Sequence, residues 1–271
     1  MDFYVLYNRF LKKEGYQTLP RRPLEKRKLR YEDVYPVLYL KYRLSRQAER
    51  SNIKHLVIDE MQDYSRLQYL IIRRMFSCKM TILGDRAQTM ADQQQDVLQF
   101  LPGIFGKDLR RIEMRKSYRN TVEIASYAAN LIGVTDLELF ERHGMPVLER
   151  DVTDLEAALR EAVDTLFPDE KTYETAAVIV PDEKTAERAY LILREILAEK
   201  DFDCEKRLSW LNRDSSSFKK GLTVTTFYLA KGLEFDQVFS IFPKDEKREI
   251  MMQAQYIAAT RALHELRVYH I

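Results

Sequence analysis

The chain has 271 residues, 45% of them hydrophobic, and its 44 basic and 42 acidic residues leave a net charge of +2. That composition excludes wholesale disorder and gives room for one large domain or two of ordinary size. Two cysteines and four histidines exclude a disulfide framework and a metal-ligand cluster at plausible spacing.

Residues 1–50 read as a helical connecting arm. Within it, Arg21 to Arg30 is strongly basic and broken by Pro23, the pattern of a solvated linker, with a phosphate-contacting strip as the other reading. From Asn52 short apolar strands alternate with amphipathic helices. Ile53 to Ile58 reads as a buried strand, Ser65 to Phe76 as a helix and Met80 to Leu83 as a second strand. After a Gln-rich helix or loop, Leu109 to Met114 reads as strand and Thr121 to Leu131 as helix. Leu155 to Leu166 and Thr185 to Lys200 have helical spacing. Ala176 to Val180, Leu222 to Phe227 and Gln237 to Phe242 read as strands. Glu249 to Ala262 closes as helix and Leu266 to His270 as strand. Strands separated by helices of this length indicate α/β architecture with parallel sheets. The N-terminus carries no signal-like apolar stretch, and no run of about 18 apolar residues could span a bilayer. The expectation is a cytoplasmic protein without a membrane partner.

Five stretches carry chemistry. Val57-Ile58-Asp59-Glu60-Met61-Gln62-Asp63 ends a strand in two carboxylates, at the edge where parallel sheets bind ligands. One such acid can hold Mg²⁺ through its water shell while its neighbour orients or deprotonates a water, although an Asp-Glu pair there can also be an ordinary helix cap. Next comes Thr81-Ile82-Leu83-Gly84-Asp85-Arg86-Ala87-Gln88, a second strand whose trailing amide can sense a phosphate. Lys116-Ser117-Tyr118-Arg119-Asn120, Thr225 to Asp236 with Lys231-Gly232-Leu233-Glu234, and Tyr256 to Ala262 with Arg261 complete the set.

In this order the five blocks resemble motifs II to VI of UvrD/Rep-type superfamily 1 DNA helicases, over residues 57–262. The Tyr-Leu-Ala-Lys-Gly-Leu-Glu-Phe wording and the short gap before it are most similar to the HelD-like branch, whose members act on RNA polymerase. The resemblance implies RecA-like parallel sheets: an incomplete first lobe over 51–106 with motifs II and III, and a complete second lobe over 107–271 with motifs IV to VI. It also implies ATP and Mg²⁺ as cofactors and DNA, single-stranded or duplex, as partner. Asp59 would hold Mg²⁺ and Glu60 would be the general base. Gln62 and Gln88 would report the γ-phosphate, and Tyr118 would stack on adenine. Arg119 and Arg261 would act as arginine fingers, Glu234 would contact the ribose, and Gly232 would allow close backbone approach. A finger of this kind contributes roughly 10³ to 10⁵ in rate.

The sequence departs from the family in four ways. No Gly-x-x-x-x-Gly-Lys-Ser/Thr loop occurs within residues 1–271, and Gly103 to Asp108 is a decoy with short spacing and no hydroxyl after its lysine. The core is therefore read as a P-loop NTPase-type motor without its P-loop. It is expected to be inactive alone, as a piece of a longer chain, as half of a split motor whose upstream polypeptide carries the Walker A loop, or as the product of a degraded reading frame. Thr89 to Gln93 supply none of the base-stacking aromatics usual after Gln88, and Tyr228 stands where the family has histidine. About 100 residues between Arg119 and Thr225 leave no room for the family's large inserted domain. A non-catalytic module that binds nucleic acid or RNA polymerase is the rival expectation.

Overall fold

The computed structural model describes residues 1–45, 52–85, 88, 97–106, 109–114, 116–135, 138–166, 173–200, 203–215, 220–244 and 249–271. Two compact units emerge, Met1–Thr89 with Gln93–Arg111, and Met90–Asp92 with Ile112–Ile271.

The first unit opens with α1 (Phe3–Lys13). Asp2 caps it by accepting the N–H groups of Tyr4 and Val5, and Lys12 and Lys13 complement the dipole at its other end. Tyr4, Tyr7 and Leu11 recur on one face and are buried with Leu19 against α2 (Tyr31–Leu44). The buried carboxylate of Asp33 in this cluster accepts from the Tyr7 hydroxyl at 2.9 Å and from Arg30 Nε at 2.7 Å. Burial, and then the bond to Asp33, push the Tyr7 hydroxyl up to about 12. The basic run is partly consumed here as well, because Arg27 pairs with Asp2 at 2.7 Å and lies over the Tyr4 ring.

A βαβ unit follows. β1 (His55–Ile58) and β2 (Lys79–Ile82) are parallel, joined through α3 (Arg66–Met75), whose first turn carries a Ser65–Gln68 capping box. α4 (Val97–Phe105) adds Val97 and Leu101 to a core of Ile58, Met61 and Tyr69.

In the second unit β3 (Lys116–Ser117) pairs in parallel with β4 (Glu138–Leu139), and α5 (Val122–Leu131) lies between them. The strand expected at 109–114 is not formed. All six residues are exposed, Ile112 and Met114 at 87%, so their alternation finds no sheet to fill. The remaining elements are β5 (Leu148–Asp151), α6 (Leu155–Asp164), β6 (Thr175–Val180), α7 (Glu183–Ala198), α8 (Cys204–Arg207), β7 (Leu208–Trp210), β8 (Gly221–Thr226), β9 (Phe235–Phe242), α9 (Glu249–Ala259) and β10 (Ala262–His270).

Six of these strands form one sheet, ordered β5-β10-β9-β6-β8-β7, with every pairing parallel. Along β6, Ala176, Val178 and Val180 face the cluster built with α6 and α7, while Ala177 and Ile179 face the one built with α5 and α9. Burial on both faces explains the continuous apolar run. This is the mixed α/β architecture, with parallel strands and helices on both faces, expected of a RecA-like lobe. Several boundaries differ from expectation, most of all that of β10, which begins at Ala262 and not at Leu266. α9 stops at Ala259, not Ala262, because the Thr260 hydroxyl and Arg261 Nε both donate to the carbonyl of Ile257 and cap its last turn. β9 begins two residues early, at Phe235, whose N–H donates to Arg261 O at 2.9 Å.

Candidate functional site

The sequence motifs gather into two constellations, one in each unit. In the first, Asp59 and Glu60 follow directly on β1. Glu60 has φ 51° and ψ 50°, the left-handed region, and is the only non-glycine residue with positive φ among the described residues. Such a conformation costs on the order of 1–3 kcal/mol and persists where surrounding contacts enforce it. Those contacts are visible. Glu60 N–H donates to Asp59 Oδ1 at 2.8 Å, and Gln62 Nε2 donates to Glu60 Oε2 at 2.6 Å. The other end of the Gln62 amide accepts from Asp85 N–H at 3.1 Å, and Asp85 Oδ2 accepts from Gln88 Nε2 at 2.9 Å. Glu60, Gln62, Asp85 and Gln88 thus form one hydrogen-bonded relay, with Gln62 and Gln88 buried and Asp59 exposed at its mouth.

Two residues outside the expected set make the relay possible. A Cβ on Gly84 would lie 2.5 Å from Gln62 Oε1 and 2.6 Å from the Met61 nitrogen, so only glycine lets the end of β2 approach the turn after β1. Tyr69 is fully buried and donates its hydroxyl to Met61 O at 3.0 Å, and burial raises its pKa well above the usual phenol range. The glycine could have been found from Gly84-Asp85 at a strand end. Tyr69 carries no such signal, because its spacing is that of any core aromatic.

In the second constellation Arg119 Nε pairs with Glu234 Oε1 at 2.6 Å, both side chains being about half-exposed. Arg261 is buried, at 2% exposure. Beyond its Nε bond to Ile257 O, its guanidinium donates to Leu233 O at 3.3 Å and Thr260 Oγ1 at 3.0 Å. Arg119, Glu234 and Arg261 therefore meet around the turn that contains Gly232. There glycine is required by its φ of 82°, since nothing lies within 4 Å of a Cβ built on it. Tyr118 is 60% exposed, its ring 5.6 Å from that of Phe140 and 5.5 Å from Lys116 Nζ. Asn120 also belongs here, donating to Thr260 O and Ala262 O on either side of Arg261. The segment 89–93, where stacking aromatics were sought, and the lysine of the decoy loop, Lys107, lie outside the described residues.

Among the described residues no group of three or more His, Cys, Asp or Glu could hold a metal unaided. Mg²⁺ does not need one, since it usually takes one or two carboxylates plus water and substrate phosphate. Asp59 fits that role, being exposed and giving only Oδ1 to the relay. No helix among the described residues is long and apolar enough to cross a membrane.

A comparison with solved structures finds similar chains of low overlap. One is the C-terminal domain of a possible DNA helicase from Lactobacillus plantarum WCFS1, 24% identical with TM-score 0.44, covering 57% of this chain and 88% of that one. The PRRSV helicase is 16% identical with TM-score 0.42, covering 80% of this chain and 35% of its own length. Arterivirus nonstructural protein 10 (helicase) in complex with DNA is 15% identical with TM-score 0.44, covering 82% and 41%. This chain thus spans well under half of either viral protein. No curated protein matches the sequence. The family model described as the UvrD/REP helicase N-terminal domain matches residues 2–90. That third of the chain, which holds Asp59, Glu60, Gln62 and Gln88, is similar to the N-terminal domain of that family.

Proposed function

We propose that residues 1–271 are the C-terminal part of an ATP-dependent UvrD/Rep-type helicase or translocase core, most like the HelD-like branch. It couples hydrolysis to movement on DNA or to remodelling of a transcription complex. The observation that carries this reading is the relay from Glu60 through Gln62 and Asp85 to Gln88, closed around a glutamate in a left-handed conformation. A structural cap would need none of it. A motor needs an acid whose position depends on amides able to sense a phosphate.

In this reading Glu60 orients and deprotonates the attacking water. Gln62 holds Glu60 and links it to β2, so that a shift of Gln88 toward the γ-phosphate changes where the base points. Asp59 would hold Mg²⁺, which would supply positive charge for a transferring phosphoryl group. Within the second unit Arg119 and Arg261 are the cations suited to a nucleotide's terminal phosphate, Glu234 takes the ribose, and Tyr118 with its exposed face stacks on adenine. Residues 1–271 contain no Walker-type loop, so in this reading they turn over ATP only where that loop is supplied from outside this segment.

The test is a pull-down with the tagged chain followed by phosphate release. The expected result is an assembly that contains the loop and hydrolyses ATP with Mg²⁺, and in which Glu60→Gln lowers kcat by roughly 10²- to 10⁴-fold. Robust Mg²⁺-dependent release by the chain alone, lost in Glu60→Gln, would overturn its inactivity. Capture of RNA polymerase or DNA with no turnover in any assembly would leave a binding module in place of a motor.

A further inference from the structure

β10 does not pair evenly with β9. Ala262 stands opposite Phe235 and Glu265 opposite Gln237, so three steps on one strand match two on the other, and a bulge lies immediately after Arg261. A bulge frees backbone carbonyls from the ladder, and these need donors. Asn120 and Arg142 supply them. Asn120, 7% exposed, gives Nδ2 to Ala262 O at 2.6 Å and to Thr260 O at 3.3 Å, and the Arg142 guanidinium donates to Leu263 O through a short contact.

Both donors are held from behind. Asn120 directly precedes Thr121, whose side chain caps α5. Arg142 O accepts from Val122 N–H at 2.8 Å, and Glu123 accepts from Gly144 N–H at 2.9 Å and from the His143 ring. A Cβ on Gly144 would lie 2.6 Å from Thr121 Cγ2 and 3.2 Å from His264 O, so the 142–144 loop lies directly against both the start of α5 and the bulge. The two donors grip the chain on both sides of Arg261, and the guanidinium between them reaches Leu233 O beside the Arg119–Glu234 pair.

We propose that Asn120 and Arg142 are positioning residues that seat the bulge of β10 and so fix where the Arg261 guanidinium meets the Gly232–Glu234 turn. The purpose of that placement rests on the motor reading, while the clamp itself does not. The experiment is ¹⁵N NMR of arginine side chains in the full chain, following solvent exchange of the Arg261 Nε–H. Asn120→Asp keeps the volume of the side chain but removes its donors. It should speed that exchange about tenfold, the worth of one buried hydrogen bond, without changing amide exchange in the distant strand β6. Arg142→Ala, at a half-buried position that tolerates truncation, should act in the same direction, and Arg142→Lys should restore slow exchange. Wild-type Arg261 exchange in both Asn120→Asp and Arg142→Ala would overturn the proposal. Because no step involves ATP, accelerated exchange together with no turnover in any assembly keeps the clamp and rejects the motor.

Discussion

The acids of the first unit stand on two short strands with little burial around them. Val57, one residue before the strand's last position, is 60% exposed, and of the two strands only Ile58 is fully buried. In the second unit Arg119 follows β3 of the short β3–β4 pair, while Arg261 directly precedes β10 in a sheet whose inner strands β6 and β8 are buried almost throughout. The first constellation is therefore held by directed bonds through Gln62 and Asp85, and the second by packing, with bonds added at the bulge. Hydrogen bonds fix geometry at about 1 kcal/mol apiece, and buried apolar area fixes it at several. The first arrangement can be repositioned by a ligand; the second is a rigid platform.

The strongest way to break this contrast is a matched pair of truncations. Phe239→Ala, at a fully buried position in β9, is expected to cost about 3–5 kcal/mol, whereas Val57→Ala should stay within about 0.5 kcal/mol. Chemical denaturation of both variants checks it, and equal losses would show that the two units share one cooperative core.

A smaller effect sharpens the role of directed bonds. Gly84→Ala places a Cβ 2.5 Å from Gln62 Oε1 and beside the Met61 backbone, so the relay must open. Overpacking of this kind costs about 1–3 kcal/mol. In an active assembly the same variant should lower kcat while leaving KM nearly unchanged, because the amide that holds Glu60 moves and the nucleotide contacts do not. A wild-type kcat with reduced stability would confine Gly84 to packing.

The second unit was legible in the sequence because β6 is buried on both faces and reads as one apolar run from Ala176 to Val180, while β8 and β9, buried almost throughout, are rich in β-branched and aromatic residues. β5, Leu-Glu-Arg-Asp, was illegible because an edge strand carries charges that hide its period, and β7 is only three residues long. Residues 109–114 misled for the converse reason: alternation shows that a segment could pair, while pairing needs an open edge beside it. At the site, Asp59, Glu60, Gln62 and Gln88 could be read from their place at strand ends. The relay through Asp85, the glycine at 84 and the clamp from Asn120 and Arg142 depend on contacts between segments up to 142 residues apart, which no local pattern records.

The mildest expected effect concerns the support behind that clamp. The bond from the His143 ring, and then backbone N–H groups including that of Gly144, hold the Glu123 carboxyl down at about 2, against an ordinary value of 4.5. A carboxylate depressed on folding contributes stability above its unfolded value, and that contribution drains as pH falls from about 4.5 toward about 2. The pair is exposed enough for solvent to screen it, so the loss in overall stability should be slight. What changes is local. As Glu123 protonates, the 142–144 loop loses one of its two anchors on α5, keeping the bond from Val122 N–H to Arg142 O, and amide exchange at Gly144 should rise before that of β6. NMR titration of the Glu123 carboxyl checks the midpoint, and His143→Ala should move it upward. A midpoint near 4.5 in the unsubstituted protein would remove the anchor, leaving the platform of the second unit to packing and the two donors at the bulge.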